Sequence, residues 1–196
     1  MNRYKLFWGV LLTPVCLPHY LLFKIRGGVI CDDLERYKHI HNVTLKSELL
    51  SFIYVLLFYK TFRNVFYYRM GKCSIPLRYI KPVPTCEIGT RDIGPGLFIE
   101  HGGSTYIAAK SIGKNFYINQ CATVGYSNNV DCPIIGDNVS VKAGAMVFGK
   151  CKIGNNVNIG ANAVVFRDIP DNCTVVGVPG RIVKREGTKI GETQNR

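Results

Sequence analysis

Aliphatic residues recur at every sixth position through the C-terminal half of the chain. The three runs are Ile93 and Ile99; Ile112, Ile118 and Val124; and Ile135, Val141, Val147, Ile153, Ile159 and Val165. A period of six is neither the 3.6 of an α-helix nor the 2 of a β-strand. It is typical of a solenoid, in which six residues form one short strand and a turn. Chance Ile–Gly pairs in the turns of a β-sandwich would not keep this spacing.

The period predicts a mainly β solenoid with three strands in each coil and the aliphatic side chains stacked inward. A small or β-branched residue stands two positions before each aliphatic from Val141 to Val165, and we expect it to be buried as well. These residues are Val139, Ala145, Cys151, Val157 and Ala163. Glycine and asparagine, as in "GDN" and "GNN", supply the corners. The stacked coils would bury one continuous core.

Composition divides the chain into four predicted regions. Residues 1–72 are rich in aromatic and large aliphatic residues and form a helical N-terminal region, and residues 73–86 form an extended connector because prolines block a helix there. Residues 87–170 form the solenoid, and residues 171–196 form a C-terminal tail.

Within the helical region, we predict one helix of about six turns for the segment "SELLSFIYVLLFYKTFRNVFYYRMG". Ser47 or Thr44 would cap its start and Gly71 would end it. An exposed face is expected at its few polar positions, which are Lys60, Arg63, Asn64 and Arg69. So apolar a helix must pack against protein or lipid.

The N-terminal segment 6–23 is 18 residues long and mostly apolar, with basic residues on both sides. Pro14, Pro18 and His19 argue against a straight membrane-spanning helix, and no cleavage signal follows. Two readings stay open: a helix in the membrane interface, which makes a peripheral membrane contact, or a helix packed on this protein or on a neighbouring subunit.

The formal net charge of +12 favours an anionic partner, or serves solubility alone. No nucleic-acid-binding signature is present, so we expect no nucleic-acid partner. None of the eight cysteines has C-x-x-C spacing. Free thiols and a cytoplasmic location, on the inner face of the membrane if the contact exists, are therefore expected.

One histidine, His101, lies in the last 155 residues, within "GLFIEHGGSTYI". An imidazole titrates near neutral pH and can therefore take a proton from an attacking hydroxyl and return it to a leaving group. Gly102 and Gly103 leave room beside it for reactants.

Three motifs carry a family resemblance that covers roughly residues 86–184: "IGPGLFIEHGG", "IGDNVSVKAGAMVFGKCKIGNNVNIGANAVV" and "DIPDNCTVVGVPGRIVK". Together they resemble the hexapeptide-repeat acyltransferases, in the serine acetyltransferase-like branch that includes polysaccharide O-acetyltransferases. The resemblance implies a left-handed parallel β-helix, a homotrimer, acetyl-CoA as acetyl donor and His101 as general base. It also implies that acetyl-CoA is bound by residues at six positions: Gly125, Tyr126, Ala143, Ala161, Arg181 and Lys184.

The chain departs from serine acetyltransferases in two places. Cys86 stands where they carry an aspartate that pairs with the catalytic histidine, which leaves Glu87, Asp92 or an acid of the N-terminal region to orient His101. The loop "GYSNNVDCP" is short and lacks their substrate-binding histidine. These departures favour a saccharide hydroxyl of capsule or surface polysaccharide synthesis as acceptor, with Glu87 as second catalytic residue.

Two alternatives remain: a serine O-acetyltransferase of cysteine biosynthesis, and a trimeric scaffold or CoA-binding protein without chemistry. A zinc carbonic anhydrase on the same fold needs three histidine ligands, and the repeat region has one, so no metal is expected.

Overall fold

A computed structural model describes residues 3–190 of the chain. The chain divides into two compact units, Met1–Pro84 and Thr85–Arg196, which we call the helical unit and the solenoid. The first is α-helical and the second is built from short strands, as the composition predicts. The predicted boundaries at residues 72, 86 and 170 stay predictions.

Within the described residues of the helical unit, 3–84, the structure has five α-helices. They are α1 (Arg3–Leu11), α2 (Thr13–Arg26), α3 (Val29–Ile40), α4 (Glu48–Phe58) and α5 (Lys60–Met70). A 3₁₀-helix, Gly71–Leu77, follows them and overlaps the start of the predicted connector. Ser47 caps α4, as expected, because its hydroxyl accepts the backbone N–H of Leu50 at 3.3 Å.

The single long helix expected between Ser47 and Gly71 is two helices. Tyr59 has an extended backbone, with φ −118° and ψ 93°, and separates α4 from α5. The axis bends by 110° at this break. Because a break leaves the last carbonyls of α4 without helical partners, something else must satisfy them.

Arg63 satisfies those carbonyls and is buried, not exposed as predicted. Its guanidinium donates to the carbonyl oxygen of Leu56 at 2.6 Å, to that of Leu57 and to that of Lys81 at 2.7 Å. Burial lowers the pKa of this guanidinium. Asn64, also buried, pairs with the backbone of Val83. Arg63 and Asn64 therefore hold the inside of the unit together, whereas Lys60 is exposed as predicted.

The core of the helical unit is aromatic. Phe23, Phe52, Phe62 and Phe66 are at most 2% exposed, and the rings of Phe23 and Phe52 are 4.8 Å apart. One ion pair joins α3 to α5 beside this core: Arg69 donates from Nε to Asp33 Oδ2 at 2.7 Å and from Nη2 to Oδ1 at 3.2 Å. Asp33 is fully buried, so this pair is shielded from water.

Among the described helices, none alone is both long and apolar enough to cross a membrane. Two bent pairs, α1 with α2 and α4 with the segment after Tyr59, reach that length and composition only when joined.

In the solenoid up to residue 190, where the description ends, there are fifteen short strands: β1 (Cys86–Ile88), β2 (Phe98–Ile99), β3 (Thr105–Ile107), β4 (Ser111–Ile112), β5 (Tyr117–Ile118), β6 (Thr123–Gly125), β7 (Ile134–Ile135), β8 (Ser140–Val141), β9 (Met146–Phe148), β10 (Lys152–Ile153), β11 (Asn158–Ile159), β12 (Val164–Val165), β13 (Cys173–Val176), β14 (Arg181–Arg185) and β15 (Thr188–Lys189). They build three sheets, ordered β1-β3-β6-β9-β12 (sheet 1), β4-β7-β10 (sheet 2) and β2-β5-β8-β11-β13-β14-β15 (sheet 3). All pairs from β1 to β13 are parallel, and each coil visits the three sheets in turn.

The six-residue aliphatics form the inner wall of this left-handed parallel β-helix, as predicted. Along sheet 3, Ile99, Ile118, Val141 and Ile159 stack in register and are fully buried. The small or β-branched residues predicted to be buried are at most 2% exposed; they are Val139, Ala145, Cys151, Val157 and Ala163. About five coils result, and each contributes one inward aliphatic to every sheet.

One corner of the solenoid is a ladder of asparagines. Asn115, Asn138, Asn156 and Asn172 all have positive φ angles near 56°, and each donates a side-chain hydrogen bond to the next, with Glu186 at the end. Asparagine tolerates the left-handed conformation better than most residues, which explains its recurrence at this corner.

The solenoid continues into the predicted tail. β13 pairs in parallel with β11 and completes the last coil, and β14 then returns antiparallel to β13. All eight cysteines lie in the described part of the chain and are free thiols there.

Candidate functional site

The site begins with an irregular corner. Six positions separate the inward aliphatics of sheet 3 from those of sheet 1 in the later coils, as from Ile118 to Val124. In the first coil eight positions separate Ile99 from Ile107. This corner therefore holds two extra residues.

Backbone hydrogen bonds identify the two extra residues. The N–H of Gly144 donates to the carbonyl of Gln120, and the N–H of Cys121 donates in the same way to Gly103, at 2.7 Å. Gly103 is therefore the counterpart of Gln120 one coil earlier. The insertion consists of the residues between Glu100 and Gly103, namely His101 and Gly102.

His101 lies at the apex of a tight turn. Gly102 N–H donates to the carbonyl of Glu100 at 2.7 Å, and the φ of His101 is +60°. A γ-turn with positive φ is rare and strained, and strained residues cluster at functional sites. The turn lifts the imidazole off the solenoid, and 69% of the side chain is exposed. His101 is therefore accessible to reactants.

Below the inserted turn runs a column of mostly small residues. Gly103, Gln120, Ala143 and Ala161 occupy equivalent places in four successive coils. At about 4.8 Å between parallel strands, the column extends about 14 Å. Gln120 Oε1 is buried and has no hydrogen-bond partner within residues 3–190. The predicted CoA-binding residues Ala143 and Ala161 thus line one corner with His101, and the column can hold an extended ligand.

Glu100 is the acid that the structure brings to His101. Its Oε1 lies 3.8 Å from His101 Nε2, and its side chain is 24% exposed. Nδ1 has no partner in the described part of the chain. A carboxylate at this distance attracts the imidazolium that forms when the ring takes a proton. The sequence analysis missed this role, although Glu100 is the residue before His101.

Glu87 and Asp92 lie elsewhere on the first coil. Glu87 pairs with Tyr106 in sheet 1 and is exposed, and Asp92 precedes the position where Ile93 bridges to sheet 2. Neither forms an ion pair with His101 in the described structure. The catalytic role predicted for Glu87 stays a prediction.

Gly125 and Tyr126 lie at the opposite edge of sheet 1 from the His101 column. A Cβ at Gly125 would lie 3.7 Å from the ring of Tyr106, which is an ordinary van der Waals contact, so the ring packs directly beside this glycine. A hydrogen bond with the Cys132 thiol, first among several causes, raises the pKa of Tyr126. Half of the Tyr126 side chain is exposed.

Arg181 and Lys184 lie on β14, and both are exposed. Arg181, together with Phe166 and Arg167, lines a cavity of about 350 Å³ at the end of the solenoid. Lys184 does not line it. Two guanidinium groups beside one cavity provide a suitable environment for an anionic group.

Across residues 3–190 no three His, Cys, Asp or Glu side chains converge in a metal-binding cluster. The predicted absence of a metal stays a prediction.

The structure defines a class of fold, a left-handed parallel β-helix with hexapeptide periodicity that carries an exposed histidine on an inserted corner. In this it is similar to hexapeptide-repeat transferases and to serine acetyltransferases. Residues 132–167 match the family model described as bacterial transferase hexapeptide (six repeats).

Comparison with individual proteins gives more specific matches than the family model. Over 105 residues the chain is 48% identical to a serine acetyltransferase of Staphylococcus aureus strain Mu50. The matched residues make up 52% of this chain and 49% of the relative. A serine acetyltransferase of Staphylococcus epidermidis is 41% identical over 105 residues. This match also covers 52% of this chain and 49% of the relative. The chain thus spans about half the length of the curated relatives it matches.

Solved structures agree. The Neisseria gonorrhoeae serine acetyltransferase in complex with serine has a TM-score of 0.64 at 26% identity, covering 87% of this chain and 74% of that one. The soybean serine acetyltransferase apoenzyme has a TM-score of 0.62 at 28% identity. This match covers 79% of this chain and 67% of the soybean chain.

These relatives correct the predicted acceptor. The sequence departures at Cys86 and in the loop after Gly125 favoured a saccharide hydroxyl of polysaccharide synthesis, and that prediction is wrong. The matching proteins and structures are serine acetyltransferases, which supports the alternative reading.

Proposed function

We propose that this protein is an acetyl-CoA-dependent serine O-acetyltransferase of cysteine biosynthesis. The observation that carries the proposal is His101, exposed at the apex of an inserted turn above a column of mostly small residues, in a chain that is similar to serine acetyltransferases. The scaffold alternative gives no reason for a strained, exposed imidazole at this position.

In the proposed reaction His101 acts as general base. Its free Nδ1 takes the proton from the serine hydroxyl as the oxygen attacks the thioester carbonyl. The carbon–sulfur bond then breaks, and the imidazolium returns the proton to the departing thiolate. Such assistance contributes about 10²–10⁴-fold to a rate. Glu100 stabilises the imidazolium between the two steps.

The column below His101 suits the donor. Gly103, Ala143 and Ala161 leave an open corner along which the pantetheine arm of acetyl-CoA can extend, and the unpartnered Gln120 Oε1 can accept one of its amide N–H groups. Arg167 and Arg181 offer positive charge to its phosphates.

We also propose that the protein is a homotrimer. The predicted CoA-binding residues lie at opposite edges of sheet 1, Ala143 and Ala161 at one and Gly125 and Tyr126 at the other. A groove between neighbouring copies would bring the two sets together. Between them, Tyr106, Met146 and Phe166 are 37–46% exposed, and an interface would cover these apolar side chains. Sedimentation velocity should give a species of three chains, and a monomer would contradict this proposal.

A cytoplasmic location, with peripheral membrane contact through the N-terminal region, completes the proposal. It is supported by the eight free thiols and by the exposed apolar residues of α1 and α2. A cell fraction in which the protein sediments with integral membrane proteins after alkaline washing would contradict it.

The test of the activity is thiol release from acetyl-CoA with L-serine, D-serine or L-threonine as acceptor. We expect release with L-serine to exceed that with the other two, and His101→Ala to lower it by about 10²–10⁴-fold. Glu100→Gln, which keeps the size of the side chain, should lower the maximal rate while leaving the KM for L-serine nearly unchanged. Release that does not depend on L-serine would overturn the proposal.

A further inference from the structure

The first two helices present apolar residues to the outside. On α1, Tyr4, Phe7, Trp8 and Leu11 follow the spacing i, i+3, i+4, i+7 of one helix face. Their exposed fractions are 66%, 63%, 36% and 55%. A helix on the surface of a globular protein normally turns charged and polar side chains outward, so α1 has the opposite pattern.

α2 repeats this pattern over three turns. Cys16, His19 and Phe23 form its buried face. The stripe that stays exposed contains no polar side chain and consists of Pro14, Leu17, Pro18, Leu21 and Ile25. Ile25 is 80% exposed. Exposed apolar surface over two consecutive helices is typical of a binding surface.

The charge around this surface is mainly positive, and one of its basic residues, Lys24, is paired with Glu48 at 3.2 Å. The first 31 residues contain Arg3, Lys5, Lys24 and Arg26 and no acidic residue, since Asp32 is the first acid of the chain. The helical unit holds 13 of the 25 Lys and Arg residues and only 4 of the 13 Asp and Glu residues. The apolar stripes therefore lie in the most basic part of the molecule.

We propose that the exposed faces of α1 and α2 bind the surface of an anionic lipid bilayer. Apolar and aromatic side chains enter the boundary between headgroups and acyl chains, and the basic residues at the ends of the helices attract anionic headgroups. Trp8 and Tyr4 have the amphipathic rings that favour this boundary. The helices lie along the membrane surface in this arrangement.

Charge distinguishes this occupant from a second copy of the chain. Two copies meeting through these faces would bring two sets of basic residues together. Glu48 offsets Lys24 in each copy, which leaves the positive charges of Arg3, Lys5 and Arg26 facing their equivalents. An anionic membrane instead supplies the opposite charge over the whole surface. This inference rests on the membrane contact of the proposed function and specifies its lipid and its surface. Binding requires no acetyl transfer, so vesicle binding and thiol release can fail separately.

The test is co-sedimentation of the full chain with vesicles of phosphatidylcholine alone or with about 30 mol% phosphatidylglycerol. We expect at least about tenfold stronger binding to the anionic vesicles, weakened by salt. Trp8 is the only tryptophan of the chain. Its fluorescence should therefore shift to shorter wavelength as α1 enters the lipid.

A matched pair of variants separates the apolar face from overall charge. Ile25→Glu and Val130→Glu each add one negative charge at an exposed β-branched aliphatic residue, and the two side chains are 80% and 79% exposed. Val130 lies in the solenoid. We expect Ile25→Glu to weaken vesicle binding about tenfold and Val130→Glu to change it less than twofold. Circular dichroism checks that both variants fold.

Three results would overturn the proposal. The wild-type protein could stay in the supernatant with both kinds of vesicle. The two variants could lose binding equally, which would show that net charge alone acts. Finally, self-association abolished by Ile25→Glu, with no vesicle binding, would show that a second copy covers the surface.

Discussion

In the solenoid, aliphatic side chains point inward in stacked columns, and the corners are polar. In the helical unit an aromatic cluster fills the inside, yet the first two helices also carry apolar residues outside. The solenoid is stabilised by a pattern repeated coil by coil, whereas the helical unit depends on single contacts between distant residues. The two regions should therefore respond differently to substitution.

The largest stability effect is expected where the helical unit depends on one buried ion pair. Asp33→Ala leaves Arg69 without its bidentate partner and should lower the free energy of unfolding by about 3–5 kcal/mol. Trp8 lies in the helical unit, so urea unfolding followed by its fluorescence measures the stability of that unit. The double variant Asp33→Leu/Arg69→Met should recover much of the loss, because no buried charge is left unpaired. A double variant as unstable as Asp33→Ala would contradict this account.

A pair of aliphatic truncations compares the regions directly. Ile118→Ala removes a fully buried side chain from an inner column and should cost about 2–5 kcal/mol. Leu21→Ala, at a side chain 52% exposed on α2, should change stability by less than about 0.5 kcal/mol. Equal losses in thermal unfolding would show that Leu21 is part of a core.

The asparagine ladder offers a smaller test of the repeat. Asn156→Ala removes side-chain hydrogen bonds to Asn138 and Asn172 and places alanine at a φ of 56°. We expect a loss of about 1–2 kcal/mol. Asn156→Gly loses the same bonds but tolerates the left-handed backbone, so it should be less harmful. If glycine is the worse of the two, backbone conformation does not explain the ladder.

The smallest effect is a dependence on pH confined to the helical unit. His19 is fully buried, its Nε2 contacts Leu77 O at 2.8 Å, and its Nδ1 has no partner within residues 3–190. Burial, first among its causes, lowers the pKa of His19 below the ordinary 6.5. The folded state therefore binds this proton less readily than the unfolded state.

It follows that the stability contribution of neutral His19 is fully present above about pH 6.5 and decreases as the pH falls below that value toward the lowered pKa. Trp8-detected unfolding at a series of pH values measures this decrease. His19→Gln should flatten the dependence between about pH 7.5 and 5.5, and an unchanged slope would assign it to other groups.

The same contrast explains what the sequence could predict. The solenoid columns follow from local spacing, and they are confirmed from Ile93 to Val165. The break at Tyr59 and the buried guanidinium of Arg63 depend on contacts with residues such as Lys81, which hydrophobic periodicity does not encode. A prediction from helix propensity and periodicity alone therefore treated α4 and α5 as one helix.

The candidate site was predicted in part. The motif identified His101, and the acids expected to orient it were Glu87, Asp92 or one from the N-terminal region, while the structure places Glu100 beside the ring. The inserted pair His101–Gly102 was already visible as a spacing of eight residues between Ile99 and Ile107, where later coils have six. The strain at the turn and the unpartnered Gln120 needed the three-dimensional structure.

The central claim is that this insertion carries the chemistry. Deleting His101 and Gly102 together restores the six-residue spacing, so the variant should fold with unchanged or higher thermal stability. Formation of O-acetyl-L-serine from acetyl-CoA and L-serine, followed by mass spectrometry, is the measurement that tests the claim most directly. We predict product from the wild-type protein and a loss of about 10²–10⁴-fold in the folded deletion variant. Equal product from both proteins would contradict the account.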